Sequence, residues 1–242
     1  MRQLLRGLAA FAVSGITIGS LSSCDLMQGE TYEDDSALSG KITSVRLENG
    51  SGGVTVNGVE GGDHQLHRKI DYKGERPKGA THRIEDGVLI LGGCGNRCSV
   101  NYTVDVPAGV PVSGEVSTGA VRLAQVGAVE VTTSSGRVEM KGVDGAVRVR
   151  TNNGQINGTG IKADSIQART SNGRINLTPD SPAAIRAQTS NGAVTLTVPK
   201  ASYRVTVDSN NGDRTVDVPD DPNGEFELHV RTSNGDITVR NG

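Results

Sequence analysis

Val147-Arg148-Val149-Arg150-Thr151-Asn152-Asn153-Gly154-Gln155-Ile156 is followed 19 residues later by Ile166-Gln167-Ala168-Arg169-Thr170-Ser171-Asn172-Gly173-Arg174-Ile175. The two decapeptides share one spelling. Apolar and polar residues alternate, a Thr precedes a polar pair, and a Gly closes the run before alternation resumes. The spelling recurs around Gly52, Gly119, Gly136, Gly192, Gly212 and Gly235, with steps from Gly119 onward of 17, 18, 19, 19, 20 and 23 residues. The lead-ins include Thr133-Ser134-Ser135, Thr189-Ser190-Asn191, Ser209-Asn210-Asn211 and Thr232-Ser233-Asn234. A fixed turn at a period of about 20 residues marks stacked copies of one supersecondary unit.

Counted from each Gly, positions −7, −5, +2 and +4 are apolar. They are Val129, Val131, Val138 and Met140 in one copy, and Ile185, Ala187, Val194 and Leu196 in another. Positions −6, −4 and +1 are polar, as in Arg148, Arg150 and Gln155. Period-two alternation on both sides of a turn predicts two strands, each with one dry face. The Gly is expected to supply a positive φ, which the preceding Asn also tolerates. Arg214 breaks the rule, a charge at an otherwise apolar +2 position. Either the coil opens there or the register shifts.

A stacked solenoid and an antiparallel meander both fit, because Asn-Gly between alternating runs is also a hairpin signal. Two features favour the solenoid. The inward set is small, with Ala168, Ala187 and Gly158 in it, and aromatics make up 2% of the chain with no Trp. The −1 position carries Asn153, Asn172, Asn191, Asn211 and Asn234 in consecutive copies. Stacked in register, these form a ladder of amides at about 4.8 Å, and seven coils from Gly119 give a rod about 30 Å long. The expected fold is all-β, a single-stranded parallel β-helix with 17–23 residues per coil and extra strands at its N-terminal end.

The 242 residues carry 25 Lys and Arg against 27 Asp and Glu, a net charge of −2, so no general affinity for nucleic acid is implied. Arg2 and Arg6 precede a short apolar run, Gly7 to Gly19, too brief to span a bilayer comfortably. The run ends in Leu21-Ser22-Ser23-Cys24, which resembles a bacterial lipobox. That resemblance implies a signal peptide over 1–23, acylation (palmitate) on Cys24, and an extracytoplasmic protein anchored to the cell membrane by lipid. Asp25, Glu30, Glu33, Asp34 and Asp35 fall in a segment without basic residues, so 24–40 reads as a solvated tether. The solenoid domain is then 41–242, with irregular capping strands over about 59–107 and regular coils over about 112–242.

With Cys24 acylated, Cys94 and Cys98 remain, in a Gly/Asn turn between two strand-like runs. In an exported protein the pair reads as a local disulfide pinning a hairpin tip; a metal site or a redox pair are the rival readings.

A lipobox, a first repeat, a strand ending Cys98-Ser99-Val100-Asn101-Tyr102-Thr103-Val104-Asp105-Val106-Pro107 and serial Thr-Ser-Asn-Gly turns occur here together. The combination resembles the β-strand-repeat "putative adhesin" proteins of bacterial envelopes, a family of unknown function, over roughly residues 42–242. The resemblance implies a β-helix-like solenoid, surface anchoring and an association with envelope stress. It offers no catalytic residues and no cofactor.

Arg150 and Arg169 share the −4 column, Arg148 and Arg186 the −6 column, and Arg137 and Arg174 sit at +1. These six are the candidate polyanion-binding residues, since guanidinium forks match phosphate and carboxylate; a solvated surface is the plainer reading. Asp213 and Asp236, close to Asp217, Asp220 and Asp221, form either an acidic end face or a calcium site. His64 and His67, three apart on a strand, point to opposite faces and make a poor metal pair. No protease, hydrolase, P-loop or dinucleotide motif is present. The expected role is non-catalytic, a surface scaffold or adhesin-like binding module meeting anionic wall polymer or another envelope protein. The alternative is a carbohydrate-active enzyme on the same scaffold.

Overall fold

The computed structural model describes residues 29–242. The signal peptide and Cys24 lie outside them. The strands are, in chain order, β1 (Glu30–Ala37), β2 (Ser44–Ser51), β3 (Val54–Val59), β4 (Gln65–Tyr72), β5 (His82–Glu85), β6 (Val88–Gly92) and β7 (Cys98–Pro107). Then follow β8 (Val112–Thr118), β9 (Val121–Ala124), β10 (Val129–Ser135), β11 (Val138–Lys141), β12 (Val147–Asn153), β13 (Ile156–Ile161) and β14 (Ser165–Asn172). The last are β15 (Ile175–Pro179), β16 (Ala184–Gln188), β17 (Val194–Val198), β18 (Tyr203–Asn211), β19 (Arg214–Val216), β20 (Phe226–Asn234) and β21 (Ile237–Asn241).

Each repeat is a coil that gives one strand to each of two sheets, of 11 and 10 strands. Neighbouring coils run parallel and in register, as in Val147↔Ile166 and Asn153↔Asn172. The solenoid reading therefore holds and the meander does not. The apolar columns fill the space between the sheets: Val131, Val149, Ala168, Ala187 and Val230 follow one another at 2% exposure or less.

The turn is held by close approach more than by φ. Gly52, Gly119, Gly192, Gly212 and Gly235 take the expected positive φ, 108–151°, whereas Gly136, Gly154 and Gly173 lie outside the left-handed region. A Cβ on Gly173 would instead overlap the carbonyl oxygen of Gly154 in the coil beneath, and one on Gly154 that of Gly136. The buried Thr three residues earlier completes the contact. Thr170 Oγ1 donates to the Gly154 carbonyl at 3.0 Å, Thr189 to Gly173 at 3.0 Å and Thr232 to Gly192 at 3.0 Å. Thr151, Thr170, Thr189 and Thr232 thus bond to glycine carbonyls rather than to one another, while buried Thr133 Oγ1 has no partner among the described residues.

The coils do not stack in chain order at either end. The sheet orders place β20 and β21 between β16/β17 and β18/β19, so the last coil of the chain inserts beneath the one before it. The Asn ladder consequently runs Asn153, Asn172, Asn191, Asn234, Asn211, each amide N–H donating to the Oδ1 of the one before it at 2.9–3.0 Å. This also accounts for Arg214. It faces the inward position of Ile237, but its coil is terminal, and Arg214 Nη2 crosses the open end to donate to the Ser209 carbonyl at 2.9 Å. Val216, 40% exposed, shares that end with half-buried Val205 and Val207. A charge directed inward along an edge strand is a known block to edge-to-edge pairing.

At the other end β6 and β7 form a complete outermost coil on β2 and β3, so part of the 59–107 stretch is regular solenoid. The run His82–Leu91 is a hairpin of β5 and β6 turned at Asp86 and Gly87, with φ of 50° and 81°. Antiparallel β5, β4 and β1 close the stack. β1 lies within the stretch assigned above to a tether, and that assignment fails from Glu30 onward. Its carboxylates are paired: Asp34 takes two hydrogen bonds of 2.7 Å from buried Arg68, which also donates to Thr81. Tyr102 donates to Thr81 and Gly92, and the half-buried His82 ring sits beside this cluster. The Arg68 hydrogen bond lowers the Asp34 pKa, while burial, then Arg68, lowers that of His82.

Three outcomes follow. Gly173→Ala costs about 2–3 kcal/mol because neither backbone can yield, whereas Thr170→Val costs about 1 kcal/mol; urea midpoints at constant m-value measure both. Arg214→Val, which restores the repeat consensus, produces larger species than wild type at equal concentration in sedimentation velocity, and an unchanged profile rules out the blocking role. Stability falls on acidification in two windows. His82, depressed in the fold, binds its proton on unfolding, so loss starts below the ordinary value of 6.5. Asp34, also depressed, stabilises above 3.8 and its contribution is lost as pH falls through its lowered pKa. Melting temperatures of His82→Gln and Asp34→Asn across pH check each window separately.

Candidate functional site

The outward face of the 10-stranded sheet carries the −6 and −4 columns. Parallel pairing places Glu130, Arg148, Gln167, Arg186 and His229 in one column. Thr132, Arg150, Arg169, Gln188 and Arg231 form the other. Because every second residue of a strand faces the same way, the two columns lie side by side about 7 Å apart, with rungs about 4.8 Å apart. Except for His229, they line a groove of about 1180 Å³ together with Ser171, Ser190 and Ser233 of the neighbouring −2 column.

Four of the six arginines singled out in the sequence, Arg148, Arg150, Arg169 and Arg186, line this groove. Arg137 and Arg174 do not. Their +1 position lies past the turn, and Arg137 Nη1 bonds Glu139 at 3.1 Å, where Arg122 Nε also binds. Arg231 is a groove residue that the sequence reading missed. Its coil inserts next to Gln188, and only this exchange of coil order brings it there. The signal available in the sequence was Arg214, whose inward charge marks its own coil as terminal.

Most of these guanidinium groups have no ion-pair partner. Arg148 stands 3.8 Å from Glu130. Among the described residues, Arg150, Arg169, Arg186 and Arg231 have no carboxylate oxygen within 4.0 Å. The four are exposed. Chemically the groove can bind anions with several forked donors at once, and the Gln and Ser side chains add neutral hydrogen-bonding groups.

The other candidates are accounted for structurally. Cys94 and Cys98 form a disulfide, S–S 2.07 Å, in the loop between β6 and β7. Asp236 accepts the Asp213 main-chain N–H at 3.0 Å, Asp220 that of Val205 at 2.9 Å, and Asp221 that of Asn223 at 2.9 Å. The acidic end face therefore caps the terminal coil. His67 meets Asp35 at 2.9 Å, and His64 sits just before β4 without a partner for its buried Nδ1. Among the described residues no three His, Cys, Asp or Glu side chains converge as metal ligands, and no helix is long and apolar enough to cross a membrane.

In structure the chain is similar to a "putative cell adhesion protein" of Clostridium sporogenes, at 14% identity, covering 88% of this chain and 100% of that one with a TM-score of 0.41. It is also similar to a "putative adhesin" of Bacteroides fragilis, at 12% identity, 88% and 97% coverage and a TM-score of 0.41. A third likeness, to a "putative adhesin" of Parabacteroides merdae, has 12% identity, 88% and 96% coverage and a TM-score of 0.40. No curated protein matches the chain in sequence. Residues 31–241, which run from β1 through the last strand, match one family, and the chain belongs to that family, Toastrack DUF4097.

Proposed function

We propose that this protein is a non-catalytic binding module of the bacterial cell envelope, held at the membrane by lipid on Cys24. It takes anionic wall polymer on the arginine-lined face of its solenoid. The observation that carries this reading is the run of Arg150, Arg169, Arg186 and Arg231 along one groove with no carboxylate oxygen within 4.0 Å among the described residues. Cations left unpaired in neighbouring rungs repel one another, and an anionic chain relieves that repulsion while using the free forked donors. The stack holds the backbone of each rung at a fixed interval, so binding orders the arginine side chains but no main chain. The lipobox-like Leu21-Ser22-Ser23-Cys24 supports the anchor.

The test has two arms. Replacing Arg150, Arg169, Arg186 and Arg231 together by Ala lowers retention on immobilised teichoic-type polymer by about tenfold or more, at about 0.2–1 kcal/mol per exposed contact. Wild-type retention weakens as salt rises, and Arg137→Ala with Arg174→Ala leaves it unchanged. In cells, Cys24→Ser moves the protein from the membrane to the soluble fraction. Retention unaffected by the fourfold change ends the polymer reading; a Cys24→Ser protein that still sediments with membranes ends the lipid reading.

A further inference from the structure

We infer that the groove is a closed-ended site for a short stretch of anionic glycan, about four acidic sugars long and laid along the stack axis. This rests on the anion-binding reading above and deepens it. The rungs set the pattern. In stacking order they carry Arg148 with Arg150, Gln167 with Arg169, Arg186 with Gln188, and His229 with Arg231. Every rung has at least one arginine. In the two middle rungs its companion is a Gln, on one side and then the other, so the cations zigzag and a neutral amide fills each gap.

Carboxylates stand at both ends of this window. On one side come Glu130 and, one coil further, Glu115, both lining the same groove. On the other, Asp208 pairs in register with Arg231. The cationic stretch therefore covers four rungs, about 14 Å from first to last at the spacing of adjacent strands. A chain extending past either end meets like charge. The coil exchange creates this length. Had the coils stacked in chain order, Asp208 would follow Gln188 and the window would end one rung sooner.

The neutral groups favour a glycan over other polyanions. Gln167, Gln188, Ser171, Ser190 and Ser233 offer donors and acceptors that suit sugar hydroxyls, and a uronate unit presents hydroxyls beside each carboxylate. A polyphosphate accepts from their N–H and O–H groups but has no hydroxyl to donate to their oxygens. Single-stranded nucleic acid relies on aromatic platforms, and among the described residues no aromatic side chain lines the groove.

Oligogalacturonates of two to ten units, titrated into the full-length protein at low salt, test this. Affinity should climb by about fivefold per unit up to about four units, then change less than about twofold from five units to ten. Glu130→Gln with Asp208→Asn should restore a gain between five and ten units, and Gln167→Ala with Gln188→Ala should weaken the four-unit ligand but not inorganic polyphosphate of equal charge. Wild-type affinity that keeps rising to ten units overturns the closed-ended site and leaves anion binding standing. Polyphosphate binding as tightly as the uronate, with the Gln changes silent, overturns the glycan preference. Failure of every anion to bind removes the underlying reading itself.

Discussion

From Gly119 onward, the contact between each turn glycine and the carbonyl of the glycine stacked against it is the constraint on which the architecture depends. With a hydrogen in place of Cβ, one turn settles directly on the next, and the neighbouring Thr hydroxyl supplies the donor for the carbonyl thus enclosed. The turn joins the two strands of a coil, so fixing it fixes register in both sheets. A slip of one residue would move every Val and Ile of a strand from the interior to solvent. The Asn ladder follows from the same alignment, since amides one position before the glycines are carried into hydrogen-bonding distance whether or not they drive the stacking. So do the arginine columns.

The regular coils were legible because their rule is local: alternation, a Thr, an Asn and a Gly repeat within each segment. The order of the last two coils was not. Asn211 and Asn234 follow equivalent lead-ins, so local spelling cannot say which coil lies on Asn191; that depends on which one tolerates solvent at its inward positions. Arg214 and Val216 answer that question, but only once the stack is seen to have an end. The outermost coil of β6 and β7 escaped notice for a related reason. It lacks the turn glycine, and Gly52 instead approaches the carbonyl of Val100 in it. β1 was hidden by its composition. Acidic residues read as a solvated segment until Arg68, 34 positions away, is found beside Asp34.

Of the proposed site, the four groove arginines in the regular coils were readable as columns, and Arg231 was not. Its place is a consequence of chain topology rather than of anything near it in sequence. The inserted coil has a structural role as well: it is clasped by parallel partners on both faces, β16 and β18 in one sheet and β17 and β19 in the other. β20 and β21 thereby lie inside the stack, leaving a coil with Arg214 and the acidic loop to face solvent. One topological choice closes the end of the rod and lengthens the row of cations.

In the regular coils the two outer faces differ in how they arrange charge. On the 11-stranded sheet, Arg122 and Glu139 are register neighbours and bond at 3.1 Å, with Arg137 joining the same carboxylate. On the 10-stranded sheet, Arg150 and Arg169 are register neighbours of the same sign, an arrangement that destabilises a sheet. The fold has no need of it, because glycine contacts, Thr hydroxyls and the apolar interior specify the stack without any outward residue. Arg83 and Arg148 of this sheet do have carboxylates within 4.0 Å, so the unpaired set is confined to Arg150, Arg169, Arg186 and Arg231, where the charges carry an electrostatic cost and the scaffold gains nothing. Under the reading proposed above, an anion in the groove would offset that cost.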